Sequence, residues 1–477
     1  MLEASLKFRA LSGSLWVILG FGICRGLRLF NHLVLAWFLS PQIFGLMALV
    51  KLFMQGLEMF SDVGIGPSII QNKKGSDRNF LNTAWTLQII RGFSIWIIAC
   101  FLTFPFTWWY AQNNIDVWQI VYVLPVAGFF SVISGFNSVS LFTLNKNLKF
   151  SKVTSIEIIS EVFSLAVMVC WVLIDPSIWA MVAGGLSGAI VKCFLSHFFV
   201  METYRLKLQW DYDSSRELLK FGKWIFLSTA FTFISLNLDK MVLGKLLTLE
   251  ELGLYSLASL VSWVSLEMVF RLGNSVIFPV YVKFQDNPDM LMVFALRARE
   301  VILWAGAAAN TFFVLIIPVF FEKFLDARYQ PAASLAQWML IYCWMRILLS
   351  TMDRIPLALG CSKSLFLSNI IQSFGIILAM TGYWAGGIVG FIFGFSSGPL
   401  FSHIFLIFYL PCYKRKVFVQ SLLSTFSVTM VTSISLSGVQ WIRPFFDNEL
   451  WILIITCISF FYLIIGGFVT YRKISLL

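Results

Sequence analysis

Charge is scarce in this chain: Asp, Glu, Lys and Arg make up 12% of its 477 residues, against 59% hydrophobic. A soluble domain carries about 25% charged residues, so a water-facing globule of this length is excluded. Histidine is scarcer still, with His32, His197 and His403 far apart, and the eight cysteines are scattered without a CxxC pair. That spacing excludes a disulfide framework and a zinc or haem site, so no metal or other cofactor is expected. Walker A, H-E-x-x-H and Rossmann glycine patterns are absent too, and the chain is expected not to be an enzyme. No A-x-A cleavage pattern follows the polar segment Met1 to Ala10, which predicts an uncleaved first helix. What fills the chain instead is apolar stretches, each long enough to cross a hydrocarbon layer of about 30 Å as a helix. The fold class is an all-α polytopic membrane protein. A net charge of +11 would suggest nucleic acid in a soluble protein. Here it follows from Lys and Arg in cytoplasmic loops, and no nucleic-acid partner is expected.

Fourteen spans are predicted, at 12–36, 42–66, 82–106, 117–141, 153–174, 177–200, 222–246, 252–278, 298–321, 332–357, 364–384, 387–411, 417–441 and 449–470. Loop charges test that count. Starting inside, the even-numbered connections and both tails hold almost all the loop cations, among them Lys73, Lys74, Lys146, Lys149, Arg205, Lys207, Arg297, Lys414 and Arg415. The odd-numbered connections hold Lys245, Lys323, Arg328 and Arg443 alone. This alternation follows the positive-inside rule and puts both termini in the cytoplasm. All outward loops are short. The longest inside connection, Met201 to Lys220, separates two halves that resemble each other. A shift of 208 residues lays Trp16 on Trp224 and Gly45-Leu46 on Gly253-Leu254; one further residue lays Glu58 on Glu267 and Gly64 on Gly273. Spans 1–6 and 7–12 enter from the same side, so the repeat is parallel and a site is expected between the halves. The predicted domains are an N-terminal lobe (1–200), a cytoplasmic linker (201–220), a C-terminal lobe (221–412) and a final helix pair (413–477).

Charges at membrane depth face protein or water. The deep set is Arg25, Arg28, Lys51, Arg91, Glu267, Arg271 and Arg346, with Glu58 and Asp62 in the inner half of span 2 and Asp239-Lys240 in the outer third of span 7. Helical spacing puts Arg25, Arg28 and His32 on one face, Lys51, Gln55, Glu58 and Asp62 on another, and Glu267, Arg271 and Asn274 on a third. Internal pairing could account for Glu267 and Arg271, spaced i,i+4. Lys192, Asp353 and Arg354 read as snorkelling or capping residues near the inner interface. The remaining cations outnumber the deep carboxylates, which points to an anionic ligand, and the planar Arg fork suits phosphate. Gly394 to Gly398 fits G-x-S-x-G by letter but lies inside a span. Gly382, Gly386, Gly390, Gly394 and Gly398 recur every four residues, which reads as a close helix-packing face.

Ser12 to Trp16, Leu39-Ser-Pro-Gln-Ile-Phe-Gly45, Phe60-Ser-Asp-Val-Gly-Ile-Gly66, Asn82 to Trp85 with Gln88 to Gly92, and Asn237 to Gly244 with Glu251 to Tyr255 carry a resemblance. It is to the colanic-acid and lipopolysaccharide-type polysaccharide flippases of the multidrug/oligosaccharidyl-lipid/polysaccharide exporter superfamily. The resemblance implies two six-helix lobes around a cavity that alternates between inward- and outward-open states, in the bacterial cytoplasmic membrane. It implies an undecaprenyl-diphosphate-linked oligosaccharide as substrate, with membrane lipid and polysaccharide assembly proteins as further partners. Cavity cations of the related peptidoglycan-precursor flippases match Arg25 or Arg28, Lys51 and Arg271. Arg91 and Arg346 complete the expected substrate-binding set, and Glu58, Asp62, Asp239 and Glu267 are candidates for ion coupling or cavity pairing. The alternative function is an ion-coupled small-molecule (drug) antiporter of the same superfamily, whose cavity should favour carboxylates.

Overall fold

The computed structural model describes residues 20–409 except 21, 63, 73–74, 76, 112–114, 147–148, 199–205, 274–276, 278–280, 282–283, 285–286 and 360–361, together with 419, 423 and 426. Predicted spans 13 and 14 and the beginning of span 1 lie outside the described residues. The described chain is helical: α1 (22–38), α2 (Pro41–Phe60), α3 (Ile65–Gln71), α4 (Arg78–Tyr110), α5 (Ile120–Gly135), α6 (Ser140–Lys146), α7 (Phe150–Ile174), α8 (Ile178–Phe198), α9 (Tyr212–Leu246), α10 (Leu249–Leu272), α11 (Pro288–Phe324), α12 (Gln330–Ala358), α13 (Ser362–Ser373) and α14 (Gly375–Tyr409). Nine helical stretches among the described residues are long and apolar enough to cross a membrane. Chain contacts divide it into two compact units, Met1–Gly253 and Leu254–Leu477.

Several helices run past their apolar spans, because capping chemistry rather than hydrophobicity sets their ends. Asp211 accepts the Ser214 N–H at 2.9 Å, which starts α9 at Tyr212, ten residues before the apolar run. Asn287 accepts from Met290 N at 3.2 Å and Pro288 follows at the first helical position of α11. Thr248 and Glu251 form a reciprocal capping box at the start of α10: Thr248 N donates to Glu251 Oε2 at 3.0 Å and Glu251 N to Thr248 Oγ1 at 3.2 Å. On α4 the apolar side chains are on show, Phe101 78% and Phe104 61% exposed, as a lipid-facing helix requires. Trp108 and Trp109 lie at its C-terminal end, the kind of position at which aromatic residues line a membrane interface.

In the first unit the linker before α9 is tied to the N-terminal end of α4. Lys207 N donates to Asn82 Oδ1, Gln209 N to Thr86 Oγ1 and Asp211 N to Thr83 Oγ1, each at 3.1 Å. Leu206 and Leu218 join the apolar cluster of Ile65, Ile69, Phe80, Leu81 and Ala84. Helix α9 continues against α2 and α4, where Thr229 Oγ1 donates to Met59 O at 2.8 Å and Tyr110 Oη to Met241 O at 3.2 Å.

The 208-residue repeat reappears as a reciprocal contact. A Cβ on Gly45 would lie 1.9 Å from the Leu249 carbonyl oxygen, and one on Gly253 would lie 1.9 Å from that of Pro41. Gln42 Nε2 donates to Glu250 Oε2 at 3.5 Å. Residues 41, 42 and 45 thus meet 249, 250 and 253, their own repeat equivalents.

In the second unit α14 is two helices joined at Gly386–Gly387, where Gly387 adopts φ 62°. This is the boundary predicted between spans 11 and 12. The glycine face packs the hairpin: a Cβ on Gly382 would meet the Gly390 carbonyl oxygen at 2.2 Å, one on Gly394 that of Leu378 at 2.1 Å, and one on Gly398 that of Gln372 at 2.2 Å. Gly386 differs from the expectation, since it forms the turn and has nothing around it to pack on. Gly382→Val forces two backbones apart, and the expected cost is about 1–3 kcal/mol of stability. A lowered unfolding temperature in detergent checks this; Gly386→Val, with open space, should cost far less.

A candidate anion site on the first unit

Arg25, Arg28 and His32 lie on α1, and Lys51 and Gln55 on α2. Arg25 and His32 are half-buried, whereas Arg28, Lys51 and Gln55 are exposed. Their charges act on one another: His32 feels Lys51, Arg25 and Arg28, and Lys51 feels Arg28 and Lys240 of α9. Cations from three helices therefore gather in one region at mid-span, where exposed charge requires water.

Arg28 has a partner that the sequence count left out. Its Nε donates to Glu161 Oε1 at 2.7 Å, and Nη2 donates to the same oxygen. One turn before Glu161 on α7, Glu157 pairs with Lys192 of α8 at 3.7 Å. Two carboxylates spaced i,i+4 on span 5 were the signal that could have found this arrangement. Lys192, expected to snorkel or cap, makes this ion pair with Glu157.

Farther in, the α2 stripe changes surroundings. Glu58 and Asp62 line an open cavity of about 450 Å³ in the first unit, together with Gln88, Arg91, Ser131, Asn137, Glu157 and Lys192. Arg91 Nη2 donates to the Glu58 carbonyl at 2.8 Å and Nε to Ser61 Oγ at 3.1 Å, so the guanidinium caps the end of α2. Asp62 Oδ1 accepts the Gly64 N–H at 2.9 Å, fixing the left-handed Gly64 before α3. Ser131 Oγ and Asn137 Oδ1 are buried without a protein partner, which fits a hydrated cavity. Arg91→Ala is expected to lower the folded yield by removing two charge-assisted hydrogen bonds, each about 1.5–3 kcal/mol. Size-exclusion profiles of detergent extracts check this, with Arg91→Lys intermediate.

The other predicted residues are dispersed. Asp239 is buried on α9. Glu267 is half-buried on α10, and Arg271 lies on the same helix with its side chain outside the described residues. Arg346 donates to Gln372 Oε1 at 2.5 Å and stands 5.6 Å from the Phe270 ring, as does Arg354. Arg354, expected to snorkel or cap, is 5% exposed and donates to the Ser350 carbonyl of its own helix. The described residues contain no group of three or more His, Cys, Asp and Glu placed to hold a metal ion.

Residues 34–333 match the family described as polysaccharide biosynthesis protein. The chain belongs to that family. Among its relatives, the lipopolysaccharide biosynthesis protein WzxC of Escherichia coli K12 is 28% identical over 291 residues, 61% of this chain and 58% of that protein. This match therefore spans under two thirds of WzxC. The teichuronic acid biosynthesis protein TuaB of Bacillus subtilis is 19% identical over 81% of this chain and 80% of its own length. The succinoglycan biosynthesis transport protein ExoT of Rhizobium meliloti is 21% identical over 69% of this chain and 63% of its own. In fold, the chain is similar to the lipid II flippase MurJ in its inward closed conformation, with TM-score 0.72 at 16% identity over 97% of this chain and 99% of that one. It is also similar to an inward-facing multidrug resistance MATE family transporter, with TM-score 0.66 at 12% identity over 87% and 99%. The polysaccharide-family chain is thus an all-α, multi-pass membrane protein with a transporter fold.

Proposed function

We propose that this chain flips undecaprenyl-diphosphate-linked oligosaccharide repeat units across the bacterial cytoplasmic membrane by alternating access, supplying exopolysaccharide, capsule or lipopolysaccharide synthesis. The observation that carries the reading is the gathering of Arg25, Arg28 and Lys51 at mid-span with Arg28 and Lys51 exposed. A diphosphate is an anion such a group can take from a membrane lipid, and Arg271 is the proposed further contact. Family membership and relatives named for polysaccharide biosynthesis and transport support the substrate class. Both termini are proposed to be cytoplasmic, from the loop charges. Polysaccharide assembly proteins outside would consume the product. A drug antiporter reading has the likeness to multidrug transporters behind it, but a cationic cluster repels the cations such carriers commonly take.

Loss of the chain in its host should trap lipid-linked repeat units on the inner leaflet, and re-expression should release them. Normal surface polymer without it would contradict the reading. A diphosphodiester head carries about two negative charges, so 100 mV, negative inside, drives it outward with about 4.6 kcal/mol. Reconstituted protein is expected to move substrate faster when the vesicle lumen, standing for the outside, is positive. Flux indifferent to potential but dependent on an ion gradient would move attention to Glu58, Asp62, Asp239 and Glu267.

A further inference from the structure

We infer that Glu161 is the internal counter-anion of Arg28: it holds the guanidinium when no substrate is bound and exchanges with the substrate's diphosphate during transport. This rests on the proposed function and names a residue which that reading does not include.

The geometry comes first. Two nitrogens of the Arg28 fork converge on one Glu161 oxygen, as they would on one oxygen of a phosphate. The Arg28 side chain is nevertheless 56% exposed and Glu161 24% exposed, so the open side of the guanidinium can be approached without unpacking a helix. An incoming oxyanion competes for the same N–H groups.

Energetics give the exchange a purpose. A cation left without an anion at membrane depth is costly. Swapping carboxylate for diphosphate keeps Arg28 compensated both when the carrier is loaded and when it returns empty. Glu161 also has somewhere to turn. Glu157, one turn away, pairs with Lys192, and Glu157, Glu161, Arg28 and Lys192 all act electrostatically on Cys24. The empty quartet has two charges of each sign; with diphosphate on Arg28, both carboxylates share Lys192.

The test uses full-length protein in phosphatidylcholine nanodiscs, with farnesyl diphosphate as probe and calorimetric titration as readout, alongside polymer export in cells. Glu161→Gln removes the competitor while keeping the shape. It is expected to bind the probe about tenfold more tightly than wild type, about 1.4 kcal/mol, and yet to export less, because the unloaded Arg28 lacks its anion. Glu157→Gln should tighten binding far less, and Arg28→Gln,Glu161→Gln should lose the gain. A residue that only packs would weaken binding and export together. Glu161→Asp, whose shorter arm withdraws the carboxylate, gives the same expected direction should Glu161→Gln not fold. Binding unchanged or weaker in these Glu161 variants, or equal tightening by Glu157→Gln, overturns the inference and leaves the proposed function standing. No probe binding by wild type or variant overturns both.

Discussion

Arg28→Ala is expected to cut polymer export about 100-fold, some 2.7 kcal/mol, while leaving the amount of protein in the membrane unchanged. The side chain is more than half exposed and pairs with Glu161 of α7, so little packing is lost. What disappears is a bidentate donor at the place proposed to hold the diphosphate. Arg28→Lys keeps the charge but not the fork, and should recover part of the activity. Quantifying surface polymer against membrane protein by immunoblot checks both variants. Wild-type export by Arg28→Ala would remove this residue from the site.

The second large effect concerns the outer ends of α2 and α10. Gln42 and Glu250, repeat equivalents at two loops expected to face outward, touch at 3.5 Å, beside glycines whose backbones leave no room for a Cβ. The proposed alternating-access cycle would open this contact. Cysteines replacing both residues, joined by a short bis-thiosulfonate linker, are therefore expected to stop export, and reduction is expected to restore it. Each single cysteine treated alike should be active. Undiminished export by the cross-linked protein, with cross-linking verified by mass spectrometry, would show that the contact does not open in the cycle.

Both contacts bear on what could be read from the chain alone. The glycine period at 382–398 and the turn between spans 11 and 12 were legible, because close helix packing leaves a local pattern; Gly386 was misassigned since turn and packing face both select glycine. The match of Gly45 to Gly253 was legible as repetition, yet nothing in a repeat says that its copies touch. The Arg28–Glu161 pair was not legible as such. Helical spacing compares residues three or four apart, whereas these are 133 apart on different spans, so the charge count took Arg28 as surplus. Arg91 shows the converse: its place on an apolar helix was readable, but its engagement with the Glu58 carbonyl depends on where α2 ends.

Reconstitution tests the central claim most directly. Proteoliposomes containing a fluorescent undecaprenyl-diphosphate oligosaccharide in both leaflets are treated with a membrane-impermeant glycosidase. With the protein present, the inner-leaflet pool is expected to become accessible within the assay, and with Arg28→Ala it is expected to stay protected, as in protein-free vesicles. An inner-leaflet pool equally protected with and without the wild-type protein, at the imposed potential that should favour flipping, would contradict the account.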